Sequence, residues 1–338
     1  MDPAPALGAA VTRDAHCRAA ARLGLALVCL AIPRGVLAAD RYAVIVTGAS
    51  GGDSYAQKYQ QLRTTLTATL RETFIYPADH LFVLAEEEGA GVQKSTRENV
   101  QRVFADLRKR LAKDDQLFVF LVGHGTTADG DEAKFNLVGP DLSAGEWADL
   151  LKPLPGRLVF VNTTGASFPF LRKLAGRGRV VLTATDSVAQ QFETVFPELF
   201  LKAFSDDAAD LDKNGRVSIW EAFTYASAAV RQWFEQKGQL PTERPLLDDT
   251  GAGVGREAQA PGLDGALAKI TYLEPEPALD LPSDAGLATL VKRRAALEAA
   301  FEELKARKES LSPDQYDAEL ERILTELARV SLQIKAKS

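Results

Sequence analysis

Five apolar runs limit what this chain can fold into more than any other feature of it. They cover residues 42–47, 80–84, 116–122, 157–162 and 179–185, and Val, Phe, Leu and Ile dominate them. None shows the apolar–polar alternation of a strand with one wet face, so each reads as a strand buried on both sides. Residues 55–73 and 96–111 carry apolar side chains at helical spacing, and Ser95-Thr96 with Glu98 supplies a helix start. This alternation of strand and helix predicts an α/β domain, a mostly parallel sheet flanked by helices on both faces. We place it at residues 40–273.

Residues 1–39 read as a secretory signal. Arg13, Arg18 and Arg22 come first, then an apolar stretch over 23–32, then Val36-Leu37-Ala38-Ala39 before Asp40. That is the order of a positive region, an apolar region and small residues at a cut near Ala38 or Ala39. The apolar stretch is about ten residues, too short for a bilayer, which takes ~20. The expected location is periplasmic or secreted. Both cysteines, Cys17 and Cys29, fall inside this leader, so the domain behind it must stand without disulfides in an oxidising compartment. The chain carries 40 Lys+Arg against 46 Asp+Glu, a net charge of −6. No basic block or basic stripe with interleaved aromatics is present, which excludes a nucleic-acid binder. No later segment is apolar for long enough to span a membrane.

Three prolines, Pro275, Pro277 and Pro282, in residues 274–284 mark a linker. Behind it, over 285–338, the pattern changes. Leu290, Leu297, Leu304 and Leu311 recur every seven residues, with Leu287 and Phe301 at alternate positions. Ser312-Pro313-Asp314 breaks that helix and caps another. Tyr316, Leu320, Ile323, Leu327, Val330 and Ile334 then give a second stripe. This predicts an antiparallel α-helical hairpin or short coiled coil, packed on itself or its domain, or serving self-association or docking.

In open α/β sheets, chemistry collects at the carboxyl ends of strands. One such end is the Gly-rich loop Gly48-Ala49-Ser50-Gly51-Gly52-Asp53, which lacks the phosphate-binding pattern. A second is Val122-Gly123-His124-Gly125, a histidine held between glycines where backbone can approach a ligand. A third is Asn162-Thr163-Thr164-Gly165-Ala166-Ser167. In these motifs, over roughly 42–250, the chain resembles the caspase-like clan of cysteine peptidases, and within it the legumain-like group. That group has an apolar strand ending in His-Gly and a later one ending in Ala-Cys-x-Ser-Gly. The resemblance implies His124 as base and the Gly125 amide as part of an oxyanion hole. It places Thr164 over the nucleophilic cysteine.

A thiol near pKa ~8.5 supplies some thiolate at neutral pH, whereas a hydroxyl supplies none without strong activation. Cysteine-type cleavage therefore does not carry over. We expect a catalytically degenerate homologue that binds a peptide or protein in the groove near His124. One alternative is an active hydrolase with Thr164 or Ser167 as hydroxyl nucleophile and His124 as base. Another is a scaffold that acts through its helical hairpin.

The most specific local motif is a calcium loop at 210–221. Asp210, Asp212, Asn214 and Ser218 place oxygens at positions 1, 3, 5 and 9, Gly215 falls at 6, and Glu221 at 12. Arg216, at position 7, offers its backbone carbonyl. This is the EF-hand spacing, which wraps oxygens around one Ca²⁺. Helices are expected to flank it at 193–205 and 218–237. Residues 247–255 resemble an Asp-rich calcium turn that has lost acids and are read as a turn. Neither His80 nor His124 sits in a zinc-type cluster.

Overall fold

The computed structural model describes residues 39–127, 132–190, 192–308 and 311–337; the expected leader lies outside them. Seven strands form the main sheet: β1 (Arg41–Thr47), β2 (Leu81–Ala85), β3 (Val92–Lys94), β4 (Gln116–Val122), β8 (Arg157–Asn162), β9 (Arg179–Thr183) and β10 (Leu246–Asp248). Their order is β10-β9-β8-β4-β1-β2-β3. Every neighbouring pair is parallel except β9 and β10. A second sheet of β5 (Gly125–Thr127), β6 (Ala133–Phe135) and β7 (Leu142–Ser143) is antiparallel.

The unbroken apolar runs follow from burial on both faces. Alternate residues of β1, Ala43 and Ile45, join Phe118, Phe120 and Val161 in a core on one side. Helices α1 (Asp53–Ala68), α5 (Phe196–Ala203) and α6 (Ile219–Gln236) cover it. Tyr42, Val44 and Val46 join Leu121 and Phe160 in the core on the other side. There α2 (Arg97–Arg110), α3 (Ala144–Leu151) and α4 (Phe168–Leu174) cover the sheet. Trp147 of α3 is fully buried and meets Phe104, Phe135 and Phe160 edge-on.

The expected strands hold, with small differences at their ends. β9 stops at Thr183 because Thr185 turns to bond Ser167. The first helix gives way at Thr69 to a π-helical turn ending at Thr73. Strands β3, β5, β6, β7 and β10 carry two or three residues each, too few for periodicity to reveal. A short helix, α7 (Ala266–Lys269), precedes residues 274–284, which contain neither helix nor strand.

The hairpin is formed by α8 (Ala285–Ala306) and α9 (Pro313–Lys337). Leu297 and Leu304 of α8 and Ile323 and Val330 of α9 are buried. Arg293 closes on Glu326 at 2.6 Å. Arg157, the first residue of β8, lies 3.9 Å from Glu303 of α8, at the amino end of the sheet. No helix among the described residues is long and apolar enough to cross a membrane. Trp147→Ala should cost about 3–5 kcal/mol, read as a lower denaturant midpoint, because the cavity it leaves is hemmed in by three aromatic rings.

Candidate functional site

The strand order reverses direction between β1 and β4, and His124 follows β4 at that point. This is where open α/β sheets leave a crevice for ligands. The His124 Nε2 lies 2.9 Å from the Ser50 carbonyl and 3.3 Å from the Tyr59 hydroxyl. A carbonyl only accepts, so Nε2 must carry the proton, and Nδ1 is left as the basic nitrogen. Tyr55 meets the imidazole edge-on at 4.7 Å, and Tyr59, one turn further along α1, meets it at 5.7 Å. The Gly-rich loop thus supplies a carbonyl and α1 supplies the walls.

Thr164 follows β8 on the neighbouring strand. Thr164 is 1% exposed, and its hydroxyl donates to Asn162 Oδ1 at 2.8 Å, with the Gly165 carbonyl at 3.0 Å. Asn162 Oδ1 also accepts the Thr164 amide. Ser167 is fully buried and shares reciprocal bonds with Thr185. Gly125 connects the two loops. A Cβ there would come within 2.2 Å of the Gly165 carbonyl oxygen and 2.7 Å of Thr164 Oγ1, so only glycine fits. Gly125 thus brings Thr164 close to the loop that carries His124, while Ser167 is held by Thr185, and the bonded partners of His124 are Ser50 and Tyr59.

Charged side chains distant in the chain tie this arrangement together from behind. Lys58 of α1 bonds Glu193 at 2.7 Å, Glu198 at 2.6 Å and the Thr194 carbonyl at 3.2 Å. The Thr194 hydroxyl donates to the Thr163 carbonyl. The buried Glu243 carboxylate accepts the Val195 and Phe196 amides at 2.8 and 3.0 Å, which starts α5. A cavity of about 400 Å³ opens nearby in sequence, between the start of α4 and the loop after β9. Phe168, Pro169, Arg172, Lys173, Asp186, Ser187 and Val188 line it. His124 does not line it.

The candidate metal loop lies at the other end of the sheet. Oxygens of Asp210, Asp212 and Glu221 come within 4.8 Å of one another and could hold a metal ion. Gly215 turns at φ 82°, and its amide and that of Asn214 point at the Asp210 carboxylate. The Glu221 carboxylate accepts the Leu211 amide at 2.9 Å and, with Ser218, forms a capping box for α6. An all-oxygen donor set suits a hard cation. The expected entering helix is shorter: α5 ends at Ala203, and a single 3₁₀ turn, Asp207–Ala209, leads into the loop. The Arg216 side chain also has work, lying 3.9 Å over the Tyr272 ring and pairing with Glu274. Tyr272 in turn accepts Gln116 at its carbonyl, at the amino end of β4.

Asp248 and Asp249 serve backbone amides instead of an ion. Asp248 accepts Gly251 and Gly253, and Asp249 accepts Gly265 and Ala268. The turn of 247–255 begins inside β10.

No protein-family model matches the sequence, and neither does any curated protein. Among solved structures, the chain is similar to the crystal structure of protein GSU0716 from Geobacter sulfurreducens. The likeness has 13% identity and a TM-score of 0.41, covering 62% of this chain and 92% of that one.

Burial pushes the Glu243 carboxyl up to about 7, against the pull of the Val195 and Phe196 amides. In an unfolded chain it would titrate near 4.3. Its contribution to stability is thus complete below about pH 4 and is lost as pH rises through about 7, about 4 kcal/mol in all. Replacing Glu243 with Gln should remove that slope. Denaturant midpoints of the two proteins across this range should diverge by that amount; a constant difference would contradict the assignment.

Proposed function

We propose that this chain is an exported relative of the legumain-like peptidases that binds a peptide or protein segment at the His124 crevice and does not cleave it. The single observation that carries the reading is the state of Thr164. Its hydroxyl is buried, bonded to Asn162 and Gly165, and has no bond to His124. A hydroxyl needs a base within hydrogen-bond reach to attack a carbonyl. Ser167 is buried as well, which counts against either residue as nucleophile. What remains is suited to holding a ligand: an oriented imidazole, two tyrosines and a Gly-rich loop. Aromatic walls with a few fixed polar groups are what binding sites commonly offer.

The cation of the 210–221 loop is calcium in this reading. The EF-hand spacing, the all-oxygen donors and the turn at Gly215 support it. Its role is structural. Ser218 pairs with Tyr272 as an isolated β-bridge, and the Ile219 amide donates to the Thr271 carbonyl at 2.8 Å. The loop thus fastens residues 271–274, which lead into the linker, to the amino end of the sheet.

Two measurements test the proposal. Incubating the purified protein with a peptide library, with calcium and with chelator, should give no cleavage by mass spectrometry. Retained peptides should bind about tenfold more weakly to the His124→Ala variant. Cleavage that depends on His124 would overturn the reading. Calcium should raise the thermal midpoint of the wild type, as any ligand of the native state does. Asp212→Asn together with Glu221→Gln should abolish that rise; an undiminished rise would place the ion elsewhere.

A further inference from the structure

The hairpin buries one side of α9 against α8, through Ile323 and Val330. Roughly on the opposite side, in a sector about 120° wide, lie Glu321, Leu324, Thr325, Ala328, Ser331, Leu332 and Lys335. Leu324 is 43% exposed and Leu332 is 68% exposed, with the exposed Ala328 between them. Two leucines one turn either side of a small residue form an apolar row that α8 does not cover. Glu321 and Lys335, at the ends of this row, have no ion-pair partner among the described residues. Their neighbours Glu319, Arg322, Glu326 and Arg329 are all paired within the hairpin.

We propose that this face of α9 is the contact by which two copies of the chain associate, antiparallel, about a twofold axis through Ala328. The sequence is self-complementary in that register. Leu324 of each copy meets Leu332 of the other, Ala328 meets Ala328 where the helices come closest, and Thr325 faces Ser331. Glu321 of each copy faces Lys335 of the other, so one interface carries two ion pairs. A twofold contact requires one patch to match itself, which this one does. Parallel pairing would instead set Glu321 against Glu321 and Lys335 against Lys335 and is disfavoured. The helix dipole alone favours acids early and bases late in α9. It does not account for two leucines exposed between the unpaired charges. Four leucines and two alanines make a small interface, so the association is weak and concentration-dependent.

Analytical ultracentrifugation of the full chain tests this. The wild type should move from monomer toward twice the monomer mass as concentration rises. Leu332→Asp, at a position outside the core, should remove the heavier species. Glu321→Lys should weaken association about tenfold by setting like charges together at both symmetric positions, and so should Lys335→Glu. Combining the two charge changes should restore association close to that of the wild type. A monomer at every concentration would overturn the proposal. So would a dimer unmoved by Leu332→Asp, or a charge swap that fails to restore pairing. Because the swap reads recovery, a variant that merely unfolds cannot imitate the expected result.

Discussion

The contact between Gly125 and the Thr164–Gly165 backbone is what the rest of the site depends on. A side chain at residue 125 would overlap the Gly165 carbonyl oxygen and the Thr164 hydroxyl. With glycine there, the loops after β4 and β8 close on each other. Thr163 strengthens the closure by donating its hydroxyl to the Leu121 carbonyl at 2.7 Å. Thr194 fastens Thr163 from the far side, and Lys58 fastens Thr194 to the helix that carries Tyr55 and Tyr59. The imidazole therefore sits on a wall whose every layer is tied to the next. That same closeness is what turns the Thr164 hydroxyl into the wall and not toward a ligand.

The two ends of the sheet have separate duties. The carboxyl ends of β1, β4 and β8 carry His124 and Thr164. The amino ends carry Arg41, Gln116 and Arg157, which bind Leu273, Tyr272 and Glu303 in turn. The 210–221 loop and the hairpin both attach there. Six residues of strand, roughly 20 Å, separate Arg157 from the residues at the site.

Much of this was legible in the sequence, for a physical reason. Strands buried on both faces must be apolar throughout, and β4 and β8 appear at the boundaries their composition marks. His124, Thr164 and the acids of the 210–221 loop were visible because glycines and strand ends frame them. What was hidden depended on partners distant in the chain. The start of α5 is set by Glu243, forty-seven residues beyond Phe196, so a helix expected from residue 193 begins at Phe196. Strand β10 is three residues long and pairs with β9 only through the fold. Asp248 and Asp249 looked like remnants of an ion site because nothing local showed that they would be needed by the amides of residues 251–268. The pairing of His124 with Ser50 was equally invisible, since it requires β1 and β4 to be neighbours.

The most direct test of the account is whether any hydroxyl in this site is nucleophilic. The protein would be treated with a fluorophosphonate, which captures activated serine and threonine side chains, and weighed intact by mass spectrometry. With Thr164 bonded to Asn162 and Ser167 bonded to Thr185, the account predicts no adduct at either residue. An adduct on Thr164 or Ser167 that disappears in the His124→Ala variant would contradict it, and would make this chain a hydrolase.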